Sequence, residues 1–244
     1  MIRLSVNLNK VATLRNSRGG SVPRVVQAVE VCVAAGAPGI TVHPRADRRH
    51  ITPGDVRDIA RLLAGTRVEL NIEGDPRPEL LDLVEEVRPD QCTLVPVAAG
   101  EITSQAGWQP GPQTDGLAEV VRTFKSRGIR VSLFVDPVPG PIEWAASVGA
   151  DRVELYTEPF ARAFARGGEA GRESFETFAG AARLVHSLGL GINAGHDLDL
   201  DNLTLFRRLP FLDEVSIGHA IISRALFAGL DTVVREYLEV LAAA

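Results

Sequence analysis

The chain is poor in the features that announce a compartment, a metal or a membrane. It has two cysteines, Cys32 and Cys92, in 244 residues. Two cysteines make no disulfide framework, and with no CxxC pair they give no zinc signature. A reducing compartment fits. The opening segment MIRLSVNLNK carries no long apolar leader, and no apolar run approaches the ~20 residues needed to cross a bilayer. The reading is a soluble, cytoplasmic protein. Nor is there an excess of positive charge: 26 Lys and Arg stand against 31 Asp and Glu, for a formal net charge of -5. This argues against a generalised nucleic-acid surface while leaving room for local basic pockets.

What is present is a rhythm. An amphipathic helix, a Gly or Pro stop, a short apolar strand and a polar residue recur from end to end. Thr52-Pro53 opens one helix, with Asp55 in its first turn, and Asp75-Pro76 opens another, striped by Leu80, Leu81, Val84 and Val87. Leu117 to Arg127 forms a third before Gly128, and Phe175, Phe178, Ala182 and Val185 mark a fourth before Gly189. Eight strands are expected between them: Arg3–Leu8, Gly39–His43, Arg67–Ile72, Gln91–Val95, Ile129–Val135, Arg152–Tyr156, Gly189–Asn193 and Glu214–Ile217. They are rich in Val, Ile and Leu, as strands buried on both faces require. Helices between strands imply parallel crossovers. Eight such units in this length predict an α/β fold of the (β/α)8 TIM-barrel type, as one catalytic domain over residues 1–244; the competing arrangement is a doubly wound open sheet. Val97–Thr114 and Glu158–Ser174 read as long loops on the catalytic rim, or as ordinary surface loops.

In a parallel barrel the strand ends converge on one mouth, where chemistry sits. The polar residues expected there are Asn7, Asn9 and Lys10; His43 and Arg45; Asn71 and Glu73; Asp136; Glu154, Tyr156 and Glu158; Asn193, His196 and Asp197; and Gly218 with His219. Of five histidines, His43, His196 and His219 fall at strand ends, His50 lies in the Arg-rich loop after the second strand, and His186 reads as structural. For Glu73 and Glu154 the alternative is a buried ion pair. Three His and two Glu offer zinc ligands, yet no HExxH or close His pair is present, and the abundance of Arg points to anions instead. Gly195-His196-Asp197 and Gly218-His219 each precede a helix, after strands seven and eight, where barrels commonly bind phosphate on backbone N–H groups. Arg45, Arg48, Arg49 and His50 suggest a second anion site; Arg15 and Arg18 are available to either, and Arg48 and Arg49 are the ones best read as solvated or paired.

The strings VNLNKVATLRNSRGG, GITVHPRADRRHIT, LNIEG, TLVP followed by EITSQAGW, RVSLFVD, ADRVELYTE, GINAGHDL and EVSIGHAIISRAL run in order along nearly the whole chain. In these the sequence resembles the pyridoxine 5'-phosphate synthase family. The resemblance implies a barrel with a few extra helices, usually assembled as an octamer built from dimers. It implies a transferase of vitamin B6 biosynthesis that condenses 3-amino-2-oxopropyl phosphate with 1-deoxy-D-xylulose 5-phosphate, without metal or organic cofactor. By motif, His43 and Glu73 resemble the family's proton acceptors, His196 its proton donor and Glu154 its transition-state-supporting carboxylate. Asn7, Arg18, Asp197, Gly218 and His219 would hold the aminoketone phosphate; Arg45, His50 and Thr103 would hold the deoxyxylulose phosphate. Two departures stand out. Asp197 occupies a position where many relatives have Gly. Asn9-Lys10 occupies a position where many have Asp-His, a pair that contacts deoxyxylulose phosphate.

The residue inventory suits that chemistry. An amine attacks a ketone, water and phosphate leave, and a carbon–carbon bond closes the ring, with proton transfers throughout. Two phosphates orient the reactants, and a closing loop would shield the imine. Two rivals use the same residues: a single-substrate sugar-phosphate isomerase or epimerase, needing one phosphate site, and a non-catalytic phosphate-metabolite-binding barrel.

Overall fold

A computed structural model describes residues 1–96 and 106–243. Eight parallel strands close into a barrel in chain order: β1 Arg3–Asn7, β2 Gly39–Val42, β3 Glu69–Gly74, β4 Gln91–Leu94, β5 Arg130–Val135, β6 Arg152–Tyr156, β7 Gly191–Gly195 and β8 Leu212–Ile217. Closure is made by β8 against β1, with Arg3 opposite Glu214 and Val6 opposite Ile217. Eleven helices surround the barrel among the described residues. They are α1 Asn9–Asn16, α2 Val25–Ala34, α3 Pro53–Leu63, α4 Pro78–Val87, α5 Thr114–Ser126, α6 Pro139–Ser147, α7 Glu158–Ala165, α8 Gly168–Ser187, α9 Leu200–Phe206, α10 His219–Ala228 and α11 Leu230–Ala242. The expected (β/α)8 barrel with extra helices is therefore what the chain forms.

Local chemistry explains where the elements begin. Helix α3 starts with a reciprocal capping box: the Asp55 N–H donates to Thr52 Oγ1 at 3.2 Å, and the Thr52 N–H donates to Asp55 Oδ2 at 2.8 Å. Such a cap contributes about 1 kcal/mol, and it aligns Val56, Ile59 and Leu63 for burial against the barrel. Helix α4 begins at Pro78, two residues after the expected Asp75-Pro76 start, because Pro at the first helical position fixes φ. At the strand bases, three aspartates tie neighbouring strands. Asp90, Asp151 and Asp213 accept the N–H groups of Leu70, Val131 and Ile192, each at 2.8 Å.

Two expectations need correction. The strands are not apolar on both faces. Leu4, Val6, Ile40, Val42 and Ile72 join the core beneath the helices, but the alternate residues are polar and hydrogen-bond across the barrel interior. Ser5 and Thr41 hydroxyls lie 2.6 Å apart, Asn71 Nδ2 donates to Thr41 at 3.3 Å, and Thr93 donates to Asn71 Oδ1 at 3.1 Å. Second, Glu158–Ser174 is not a long loop but α7 and the head of α8. Phe160 of α7 packs on Phe178 and Phe206 at centroid distances of 6.1 and 4.9 Å. Three buried Phe side chains contribute roughly 1.5–3 kcal/mol each, so this segment is held as core. Of the other expected loop, residues 106–113 are pinned to β5 by the Trp108 N–H donating to the Phe134 carbonyl at 2.8 Å.

Candidate active site

The C-terminal strand ends surround a cavity of about 340 Å³. It is lined by Asn7, Asn9, Lys10, His43, Arg45, His50, Glu73, Glu154, His196, Asp197, Gly218 and His219, which are twelve of the fourteen residues singled out from sequence. The thirteenth, Arg18, is exposed just beyond α1 and does not line the cavity. The fourteenth, Thr103, lies outside the described residues. Arg15 is not available to an anion: its guanidinium pairs with Asp55 at 2.5 and 3.0 Å. Arg49 pairs with Asp47, as expected of a paired surface arginine. His186 stacks on Phe211 at 3.7 Å, remote from the mouth.

Glu73, on the inward face of β3, accepts from Asn7 Nδ2 at 3.3 Å and from Ser216 Oγ at 3.5 Å. Burial pushes its carboxyl up to about 7, with the Glu214 carboxylate adding to the rise. His43 Nδ1 stands 3.9 Å from Glu73 Oε2. Its imidazole is held well below the ordinary histidine value by burial, then by His50 and the Arg45 and Arg77 guanidiniums. His43 is thus a neutral base at physiological pH, with a carboxyl behind one nitrogen. The Asn9 carboxamide oxygen accepts the His43 backbone N–H at 2.8 Å, tying the end of β1 to the end of β2.

Glu154, from the inward face of β6, is fully enclosed and held well above the usual carboxylate range by burial and by the Glu73 and Glu214 carboxylates. The nearness of Glu154 makes Gly195 necessary, since a Cβ there would stand 2.5 Å from Glu154 Oε1. Gly218 is required for the same reason, with a Cβ falling 2.9 Å from the Asn7 backbone oxygen. Both glycines let backbone approach the cavity where the helices α9 and α10 begin.

His196 and Asp197 turn away from β7 with φ of +84° and +59°. This left-handed geometry favours glycine, and Asp tolerates it better than most other side chains. The His196 ring rests on Phe134 and Tyr156 at 4.8 and 5.5 Å, and burial lowers its basicity, partly offset by Asp197 and the Gly195 backbone. His50 accepts the Ile51 N–H at Nδ1 (2.9 Å), so its proton resides on Nε2 as a donor. Burial, followed by Arg45, lowers its pKa to about 4. Lys10 of α1, with Arg45 and His50 after β2, brings one group of donors to the cavity; Gly218, His219 and the head of α10 bring another after β8.

Sequence reasoning missed Ser216, which contacts Glu73, and Asp199, which caps α9 at the cavity wall. Period two along β8 offers the signal for Ser216: Glu214, Ser216 and Gly218 share one face. Among the described residues, His43 Nε2, Glu154 Oε2 and His196 Nδ1 are buried without hydrogen-bond partners. Buried polar atoms of this kind carry a free-energy cost unless a ligand satisfies them. No group of three His, Cys, Asp or Glu among the described residues is placed to hold a metal ion.

Known proteins share both fold and sequence. In solved structures, the phosphoribosyl anthranilate isomerase of Thermus thermophilus superposes with a TM-score of 0.61 at 18% identity, covering 99% of this chain and 98% of that one. A thiamine phosphate pyrophosphorylase from Pyrococcus furiosus gives 0.63 at 13% identity, covering 98% and 95%. At such identities only the barrel is common. Sequence relatives are much nearer. The pyridoxine 5'-phosphate synthase of Christiangramia forsetii is 52% identical over 242 residues, covering 99% of this chain and 100% of the relative. That of Bacteroides fragilis is 54% identical over 238 residues, covering 97% and 98%. The family described as pyridoxal phosphate biosynthesis protein PdxJ matches residues 4–243. With its mouth residues gathered on one cavity and its length matched end to end, the chain belongs to the PdxJ family.

Proposed function

We propose that this chain is a pyridoxine 5'-phosphate synthase, condensing 3-amino-2-oxopropyl phosphate with 1-deoxy-D-xylulose 5-phosphate to give pyridoxine 5'-phosphate, phosphate and water. The observation that carries this reading is one cavity combining His43, Glu73, Glu154 and His196 with two groups of donors, one after β1 and β2 and one after β8. A single-phosphate isomerase needs only one of those groups.

In this reading, Asn7, Asp197, Gly218 and His219 hold the aminoketone phosphate, and Arg18, which lies outside the cavity lining, has to move inward to join them. Arg45, His50, Asn9, Lys10 and Thr103 hold the deoxyxylulose phosphate. His43, neutral because burial and neighbouring cations disfavour its charged form, takes protons as the imine forms and water leaves. Glu73, near neutrality in pKa, serves as the second proton acceptor. Glu154, held protonated, supports the developing charge by hydrogen bonding. His196 donates. Each bound phosphate brings about −1.5 to −2 charges near neutrality, which raises the basicity of His196 and equips it to carry a proton in the complex. Lys10 acts as a cation near His50 rather than as a covalent nucleophile, because the reacting imine nitrogen comes from the substrate amine. The protein works as one cytoplasmic catalytic domain without a cofactor, and as a homo-oligomer, an octamer by family resemblance.

Incubation with both substrates should yield pyridoxine 5'-phosphate and one inorganic phosphate per turnover. Consumption of either substrate alone, without that product, would support the isomerase reading instead.

A further inference from the structure

The turn that delivers His196 is held in an unusual way. His196 and Asp197 both adopt positive φ, and neither is glycine. Successive non-glycine residues in that region persist only where the surroundings fix them. Here each carbonyl of the turn has a buried donor. Thr157, wholly buried just after β6, donates its hydroxyl to the Gly195 carbonyl at 2.6 Å and stands against the His196 carbonyl as well. Its backbone N–H also donates to Gly195, at 3.0 Å. On the far side, Asn202 Nδ2 donates to the Asp197 carbonyl at 2.9 Å, and Asn202 is fixed by its own capping box with Asp199. By contrast, the His196 ring rests on Phe134 and Tyr156, its polar neighbours Gly195 and Asp197 belong to the same turn, and its Nδ1 has no hydrogen-bond partner among the described residues. The direction of the imidazole is therefore set mainly by the backbone of the turn.

We propose that Thr157 is a positioning residue for the reaction: its hydroxyl clamps the β7 turn in the left-handed conformation that aims His196 into the cavity. One hydroxyl hydrogen is shared by two carbonyls adjacent in sequence, so its removal loosens both together. Valine at this position is close in shape but puts a methyl in place of the hydroxyl, and a methyl cannot donate to either carbonyl. The inference rests on the reading of His196 as the proton donor, and the aim of an imidazole matters because small misplacements of a reacting group cost as much as 10²-fold in rate.

The test pairs Thr157→Val with Thr157→Ser, each in the native and the His196→Asn backgrounds. Thr157→Val should lower kcat roughly 10–100-fold with little change in KM, and Thr157→Ser should recover most of the loss. In the His196→Asn background the same valine substitution should have almost no further effect, because the group it positions is gone. The ring 1H–15N resonances of His196 at fixed pH give a reading that needs no substrate: they should move in Thr157→Val and remain near native in Thr157→Ser. If Thr157→Val does not fold, Thr157→Ala set against Thr157→Ser isolates the same hydroxyl. An equal loss in both backgrounds, or His196 resonances that stay in place, would overturn the proposal and make Thr157 a packing residue. Absence of turnover in the native protein would instead count against the synthase reading, while the resonances still judge the clamp.

Discussion

The two ends of the barrel interior treat charge in opposite ways. At the floor, charges are matched. Arg3 reaches Glu69 at 3.2 Å and Glu214 at 3.7 Å, Arg130 pairs with Glu69 and donates to Gln91 at 2.8 Å, and Arg152 donates to Asn193 at 2.8 Å. At the mouth, burial raises the Glu73 and Glu154 carboxyls, Glu73 adding to the rise at Glu154, while burial and then His50, Arg45 and Arg77 keep His43 neutral. The strands are the same strands, a few residues further along. Pairing makes the floor a structural base; burial without such pairing pushes the carboxyls and imidazoles of the mouth toward their uncharged forms. The difference teaches that this barrel puts its stability low and its reactivity high.

The sharpest way to break the comparison is at the mouth. His43→Asn and His196→Asn should each lower kcat by roughly 10²–10⁴-fold with the fold intact by circular dichroism; near-native turnover in both would remove the proton-transfer roles. Next in size is the anion side. Arg45→Ala should weaken deoxyxylulose phosphate by roughly 10–100-fold, the scale of a lost charge-assisted hydrogen bond. The aminoketone phosphate should be little affected. Separate titrations of the two ligands check this, and equal weakening of both would merge the two sides into one site. The smallest effect belongs to the floor. Glu69→Gln removes a carboxylate shared by Arg3 and Arg130, and should cost about 1–3 kcal/mol in urea unfolding while turnover is unchanged. A loss of turnover there would mean that the floor is part of the machinery.

The barrel was legible because its helices announce themselves, with Thr52-Pro53 and the stop at Gly128 as clear examples. The strand limits were less so: β1, β2 and β4 stop one residue short of their expected ends, and two strands overrun theirs for one shared cause. Strand β3 was expected to end at Ile72 and β7 at Asn193, where apolar character ends; both run two residues further, because Glu73 and Gly74 pair with Thr93 and Leu94, and Gly195 pairs with Tyr156. Polar side chains hide the strand at the very place where they build the site. The candidate site was legible for the opposite reason, since polar residues at the ends of apolar runs stand out. Ser216 and Thr157 were harder to see. Small hydroxyl residues suit strand and turn alike, and their partners, Glu73 and the Gly195 carbonyl, are 143 and 38 residues away. The polar interior between floor and mouth escaped notice because strands that are buried on both faces, and rich in Val, Ile and Leu, look apolar on both until alternation is followed residue by residue.

Glu73→Gln tests the central contrast most directly. In the folded protein the Glu73 carboxyl titrates at about 7, above the ordinary value of 4.5. Between those values the folded state binds the proton more than the unfolded state does, so native stability falls as pH rises through that window. Gln keeps the shape and cannot ionise. Unfolding in urea should show the variant and the native protein nearly equal at about pH 4.5, with the variant more stable at about pH 8 by on the order of 1–3 kcal/mol. The same variant should lose turnover. A variant that is less stable than the native protein at the higher pH, or one that still turns over normally, would contradict the account that the mouth gives up stability for its chemistry.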